Sequence, residues 1–277
     1  MWSDQPKTIC ASDVSVLWGK IFLHVMKPGN AAPVLATLDG FEDNHMSENA
    51  DFRAQVDQFL SQAGKVCIED NAYMIFPDRL WHGHGRQNRQ WLYARYGRLL
   101  PRLMGRDPKN RYGTYFGRMI GWLGSRQKMR EGKNQLEHVI SIWQRDRNQG
   151  SHPRITDMQV SCFSAEHDLT GQRQRGFPCL QQVGFSYDKD GLVISALYPR
   201  QYVFDRGYGN FVGLCRLGRF MADQMGVALA RLNCFVVAPS LGQKVSKRGL
   251  ASLVRAADVL TSDHQQGDRA PAEETNG

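Results

Sequence analysis

Pro178-Cys179 is the pair in this sequence whose types and order suit covalent chemistry. Proline fixes its own φ and restrains the approach to the cysteine. The run from Leu180 to Tyr187 reads as a strand, so the thiol would leave the backbone in a set direction. The nucleophile is the thiolate, and lowering a thiol pKa from about 8.5 takes cations close by; Arg173, Arg175 and Arg200 are the candidates. A strand cysteine standing alone is more often an inert small hydrophobe. The cysteines at 10, 67, 162, 215 and 234 show no CxxC spacing, which argues against a zinc ribbon or a disulfide framework and predicts free thiols. His82-Gly83-His84 has no third ligand at a suitable spacing, and Gly207-Tyr208-Gly209 lacks the strand and the third glycine of a dinucleotide loop.

Several elements around Cys179 agree at once with one family. Pro178-Cys179 opens a strand, a hairpin leads to Leu197-Tyr198-Pro199-Arg200, and Asn210 follows about ten residues later at the start of a long helix. In this order and spacing the chain resembles the core of thymidylate synthases. Tyr115-Phe116-Gly117-Arg118-Met119, Asn134-Gln135-Leu136 and Ser161-Cys162-Phe163 extend the resemblance upstream, so that it spans Tyr112 to about Leu241.

The resemblance implies an α/β (α+β) fold, a mixed and mostly antiparallel sheet flanked by helices, and a homodimer built sheet to sheet. It implies a reaction as well. Carbon 5 of a uracil ring is a poor nucleophile until a thiolate adds to carbon 6, and Cys179 would be that thiolate. Asn210 would read O4 and N3–H, since an amide both donates and accepts, which favours a uracil-type pyrimidine nucleotide. Arg200 would hold the phosphate, with Gln201 beside it where the family usually has Ser, and Arg154 would cross the dimer to the partner's phosphate. Tyr115 and Gln243 complete the implied nucleotide site. Asp205 and Gly207 are the implied contacts to 5,10-methylenetetrahydrofolate, the one-carbon donor, from which the product is a methyl or hydroxymethyl group on carbon 5. Leu180 stands where many members have His, and Gln243 and Val245 stand where the sugar-binding His and Tyr are expected, so a ribonucleotide or a modified substrate also fits. The stretch from Arg200 to Asn210 is one residue shorter than the family pattern. Glu69 is the candidate for the family's water-organising glutamate, against the plainer reading of an exposed strand acid. A rival reading of the whole chain is a non-catalytic nucleotide- or nucleic-acid-binding protein on the same scaffold.

The elements that must position these residues are read as follows. Val16 to Met26 and Val34 to Leu38 are expected strands, Asp51 to Ala63 a helix stopped by Gly64, and Lys65 to Phe76 one or two strands. Gln135 to Trp143 places its apolar residues on one helical face. Strands follow at Gln159 to Phe163, Leu180 to Tyr187 and Leu192 to Tyr198, the last two joined at Asp190-Gly191 as a hairpin. A buried helix covers Phe211 to Met225, and Arg231 to Ala238 is a further strand. One domain over 1–262 is expected, with 263–277 (DHQQGDRAPAEETNG) a mobile tail that has little to bury.

Charge is distributed unevenly. Arg79 to Arg130 holds thirteen Lys or Arg and one acid, Asp107, although the whole chain is only +8. Trp81, Trp91, Tyr93, Tyr96, Tyr112, Tyr115, Phe116 and Trp122 interleave with those cations, a mixture suited to gripping a polyanion or nucleic acid; the plain alternative is a solvated helical face beside an aromatic core edge. With 42% apolar residues the chain can bury a substantial core. No apolar run approaches the roughly 20 residues of a spanning helix, so no membrane partner is expected, and the chain reads as soluble and cytoplasmic.

Overall fold

The apolar run near the start of the chain folds as a helix, correcting the expected strand. Asp13 caps it, its carboxylate accepting from the N–H groups of Ser15 and Val16 at 2.7 and 3.2 Å. The helix, Val14–Met26, buries ten of its thirteen residues, so it is apolar all round, and such a helix leaves no polar stripe for periodicity to find.

The computed structural model describes residues 5–27, 32–83, 88–107, 110–123, 130–169 and 178–267. In chain order the elements are β1 (Lys7–Ala11), α1 (Val14–Met26), β2 (Val34–Leu38), the short β3 (Phe41–Glu42) and β4 (His45–Met46), α2 (Ala50–Gln62), α3 (Ile68–Tyr73), α4 (Asp78–Gly83) and α5 (Arg89–Arg106). Then come α6 (Tyr115–Met119), the short β5 (Trp122–Leu123) and β6 (Arg130–Glu131), α7 (Gln135–Asn148), β7 (Gln159–Ser161), α8 (Ala165–Asp168), β8 (Gln182–Asp188), β9 (Gly191–Tyr202), α9 (Tyr208–Met225), β10 (Leu229–Ser240) and α10 (Ala251–Gly267).

Six strands form one mixed sheet in the order β1-β2-β10-β9-β8-β7. Three of its five pairings, β2–β10, β9–β8 and β8–β7, are antiparallel, while β1–β2 and β10–β9 are parallel. Helices α1 and α9 pack against one face, where Val34, Ala36, Leu232, Cys234, Ile194, Tyr198, Val183 and Phe185 are buried. The alternate residues point the other way, as a pleated strand requires. Leu35, Phe235 and Val237 are exposed there at 40, 36 and 40%, and register aligns Leu35, Phe235, Leu197 and Gln182 in one cross-strand row.

Lys65 to Phe76 is the second correction. It contains the six-residue helix α3 rather than strands, started by Asp57, whose carboxylate accepts from the N–H of Ile68 at 2.8 Å. Helix α3 lies so close on α9 that a Cβ at Gly209 or Gly213 would overlap Asn71 and Ile68, or Ile75 and Ala72. The expected tail is corrected in part: α10 runs to Gly267, and 268–277 lie outside the described residues. The predicted helices at 51–63 and 211–225 and the 180–198 hairpin stand, with ends moved by a few residues.

Candidate functional site

Cys179 lies three residues before β8 rather than at its first residue, although pairing has already begun nearby: the Gln181 N–H donates to the Leu197 carbonyl at 3.0 Å. The side chain is half-buried. Burial pushes its pKa up, and two guanidiniums, Arg206 foremost and then Arg200, pull it down without cancelling that rise. Cys162, Cys215 and Cys234 are fully buried, and burial raises each of their pKa values, to about 12 for Cys162. Cys179 alone among the shifted thiols feels two arginines while staying half open.

Arg206 was invisible in the sequence because the element that carries it is irregular. After β9 the chain makes a π-helical turn, Val203–Gly207, that runs directly into α9; such turns are rare and concentrate at functional sites. Trp18 and Leu241 hold its start, the Trp18 Nε1–H donating to the Val203 carbonyl and the Phe204 N–H to the Leu241 carbonyl, both at 2.9 Å. Asn71, 3% exposed on α3, fixes the guanidinium: Arg206 Nη1 donates to Asn71 Oδ1 at 2.9 Å, and Asn71 Nδ2 donates to the carbonyls of Val66 and Asp205. In the sequence Asn71 is only the last of three polar residues, Glu69-Asp70-Asn71, in a mostly apolar stretch.

Tyr115, at the start of α6, joins the same cluster. Burial raises its pKa, assisted by the nearby Cys179 and opposed by Arg206 and by the Leu180 N–H, which donates to the phenol oxygen. The phenol is therefore protonated at neutral pH. Tyr198 lies deeper: its pKa is raised by burial, then by Tyr115, Cys234, Cys162 and Cys179, and its hydroxyl has no hydrogen-bond partner among the described residues.

Arg200 is exposed near the end of β9 and pairs with no carboxylate among the described residues. Asn210, the third residue of α9 and four beyond Arg206, is 5% exposed, and its amide bonds to none of the described residues. Gln201 is 1% exposed, with neither amide atom partnered in the described chain; its Oε1 is 3.5 Å from where a Cβ on Gly207 would stand. Cys179, Arg200, Arg206, Tyr115 and Asn210 thus belong to adjoining elements, while Gln201 points inward.

The remaining expected residues are placed differently. Asp205, 8% exposed, accepts from Lys65 Nζ at 3.0 Å and from the Gln243 N–H at 3.3 Å, and Gly242 covers its other oxygen. Gly207 is buried against the Trp18 indole. Asp205 Oδ1 is buried with no hydrogen-bond partner among the described residues. Gln243 is exposed and donates from Nε2 to the Tyr202 hydroxyl at 3.0 Å. Arg154 is exposed, next in sequence to Ile155, which lines the open sheet face. Glu69 sits on α3 rather than on a strand, gripped by Arg216 through two bonds of 2.7 and 2.9 Å and by Arg53 at 3.0 Å. His82 pairs with Asp78 at 3.1 Å, and His84 lies outside the described residues.

No protein-family model matches this chain, and no curated protein matches it.

Proposed function

We propose that this protein is a thymidylate synthase-like enzyme that activates carbon 5 of a uracil-type pyrimidine nucleotide by covalent addition of Cys179 to carbon 6, for methylation or hydroxymethylation. The observation that carries the reading is the half-buried Cys179 between Arg206 and Arg200 with the Tyr115 phenol beside it. Asn210, whose amide bonds to none of the described residues, follows on the next turn.

The two arginines divide the work. A nucleotide phosphate would dock on Arg200, which is exposed and has no carboxylate partner among the described residues, through a bidentate fork. That dianion removes much of the help Arg200 gives the thiolate, because an anion nearby raises a thiol pKa. Arg206, tied to Asn71, remains to support the thiolate. The proton of Cys179 leaves to water, the sulfur pair forms the bond to carbon 6, and the electrons of the 5,6 double bond move towards carbon 5 and O4. Asn210 donates to the O4 enolate and accepts from N3–H. Carbon 5 is then nucleophilic; in the family this chain resembles, methylenetetrahydrofolate supplies the carbon it attacks. Loss of the carbon 5 proton would go with release of the folate nitrogen from the transferred carbon, and that carbon would take a hydride from the same folate, giving methyl, or water, giving hydroxymethyl, as the sulfur–carbon bond breaks and the cysteine is returned.

A homodimer across the open sheet face completes the proposal. The row Leu35, Phe235, Leu197 with Val237 offers the apolar centre, and Arg154, next in sequence to Ile155, is the residue a partner's site would receive. Phe235→Glu should leave a monomer in sedimentation; an unchanged species would overturn that assembly.

The decisive experiment is covalent capture. Incubation with 5-fluorouridylate and methylenetetrahydrofolate should give an adduct on the peptide bearing Cys179, detected by mass spectrometry, and Cys179→Ser should abolish it. An adduct on another cysteine, or none on the folded wild type, overturns the reading. Arg200→Ala should weaken nucleotide binding far more than nucleoside binding in calorimetry, and Asn210→Asp should shift preference towards cytidylate by about 1–3 kcal/mol, one buried hydrogen-bond mismatch.

A further inference from the structure

The cations between Arg79 and Arg130 separate in the fold. Arg89 is paired with Glu137 at 2.7 and 2.9 Å, Arg118 is buried against Asp168, and Arg79 lies 3.6 Å from Glu69. Arg95, Arg98, Arg102 and Arg106 are all exposed on α5, and none has a carboxylate within 4.0 Å among the described residues. At about 100° per residue they occupy a sector of roughly 80°, and at 1.5 Å per residue they span about 16 Å. The opposite side of the helix carries Leu92, Tyr93, Tyr96, Leu100 and Met104, all buried. Trp91, half-buried, begins the same outer row one turn before Arg95. Beyond the helix, Arg111 is exposed and lies 4.7 Å over the Tyr112 ring.

We propose that this outer face of α5 is a docking surface for single-stranded nucleic acid. Four guanidiniums in line, without a carboxylate partner among the described residues, exceed what a mononucleotide needs, and an extended anion would neutralise several of them at once. Eleven of the thirteen cations in the window are arginine, the side chain whose planar fork grips a phosphate bidentately. A membrane surface is the poorer occupant, because the apolar side of α5 is spent on the protein's own core and has nothing to insert. A single strand fits the row better than a compact anion, since its phosphates repeat along a line and its bases can stack on ring and guanidinium planes such as Tyr112 and Arg111. The inference stands apart from the chemistry at Cys179.

The test titrates a fluorescent single-stranded oligonucleotide against the wild type and against the R95Q/R98Q/R102Q/R106Q variant across a salt series. The wild type should bind at low salt, with log affinity falling linearly in log salt; the variant should bind at least about tenfold more weakly, its slope flattened by about 3, or roughly 0.7 for each lost contact. K7Q/K189Q/R248Q/R255Q removes the same charge from other exposed positions and should change affinity less than twofold. No binding by the wild type, an unchanged slope in the α5 variant, or equal losses in both variants overturns the proposal. Polyglutamate displacing the strand as effectively as unlabelled oligonucleotide, or tighter binding to phosphatidylserine vesicles, would assign the face to another anion and overturn it too. Covalent capture at Cys179 is read separately, so failure here and failure of the catalytic reading are distinguishable.

Discussion

Arginine meets two opposite fates in this molecule. Inside, each guanidinium is held by named partners: Arg118, 2% exposed, by both oxygens of Asp168 and by the carbonyls of Cys162 and Tyr112, Arg206 by Asn71, and Arg216 by Glu69. On the outer face of α5, four arginines have no such partner among the described residues. Interior arginines fix the geometry of other groups, and outer ones leave their charge available to something else. Sequence counts both alike, and so a cationic window can be a scaffold in one half and a surface in the other.

The sharpest way to break the contrast is Asp168→Ala, which strands a buried guanidinium and should cost about 3–5 kcal/mol in urea unfolding. A loss below 1 kcal/mol would mean that the inner pair holds nothing. Next in size is the acid response of Glu69. Its burial raises the pKa, but hydrogen bonds and charge from Arg216 and then Arg53 outweigh that and hold it below the ordinary value. A depressed folded-state pKa means stability present above the unfolded value of about 4.3 and lost as pH falls through the folded one. Glu69→Gln should therefore melt well below the wild type at neutral pH, and the gap should close on acidification; a gap independent of pH would contradict it.

A smaller effect sharpens the comparison at the candidate site. Arg206→Met should move the pH at which iodoacetamide alkylates Cys179 upward by more than Arg200→Met does, since Arg206 is the stronger of the two influences. The reverse order would remove Arg206 from the thiol. Smallest of all, Arg102→Gln on the outer row should change unfolding stability by no more than about 0.5 kcal/mol, and a larger loss would show that the row is structural after all.

What the sequence made legible was what local signals encode. The β8–β9 hairpin announces itself through Asp190-Gly191, and the structure adds that the Asp188 carboxylate accepts from the N–H groups of both residues at the turn. Helix α2 declares its ends by Asn49, which caps it, and Gly64, at φ 63°. Helix α1 was misread because burial on every side erases the pattern that separates helix from strand. Helix α3 was misread because it is six residues long and its starting bond comes from Asp57, eleven positions away. The cysteine and Arg200 were visible as residue types in order. Arg206 was not, because its orientation is set by an amide on another helix, 135 positions distant. The aromatic residues of the cationic window divided as its arginines did: Trp81, Tyr93, Tyr96 and Phe116 are core, whereas Tyr112 keeps an edge at the surface.

The π-helical turn at Val203–Gly207 has one more consequence. Each residue advances a helix by about 100°, and because Gly209 and Gly213 hold α9 on α3 in fixed registry, adding or removing a single residue within this turn would leave Asn210 in place and swing Arg206 away from Asn71. The turn acts as a phase adjuster between a strand that is pinned by its neighbours and a helix that cannot slide. Descendants of such a chain could retune which group faces the thiol by insertion or deletion at this one joint, without moving α9 on α3.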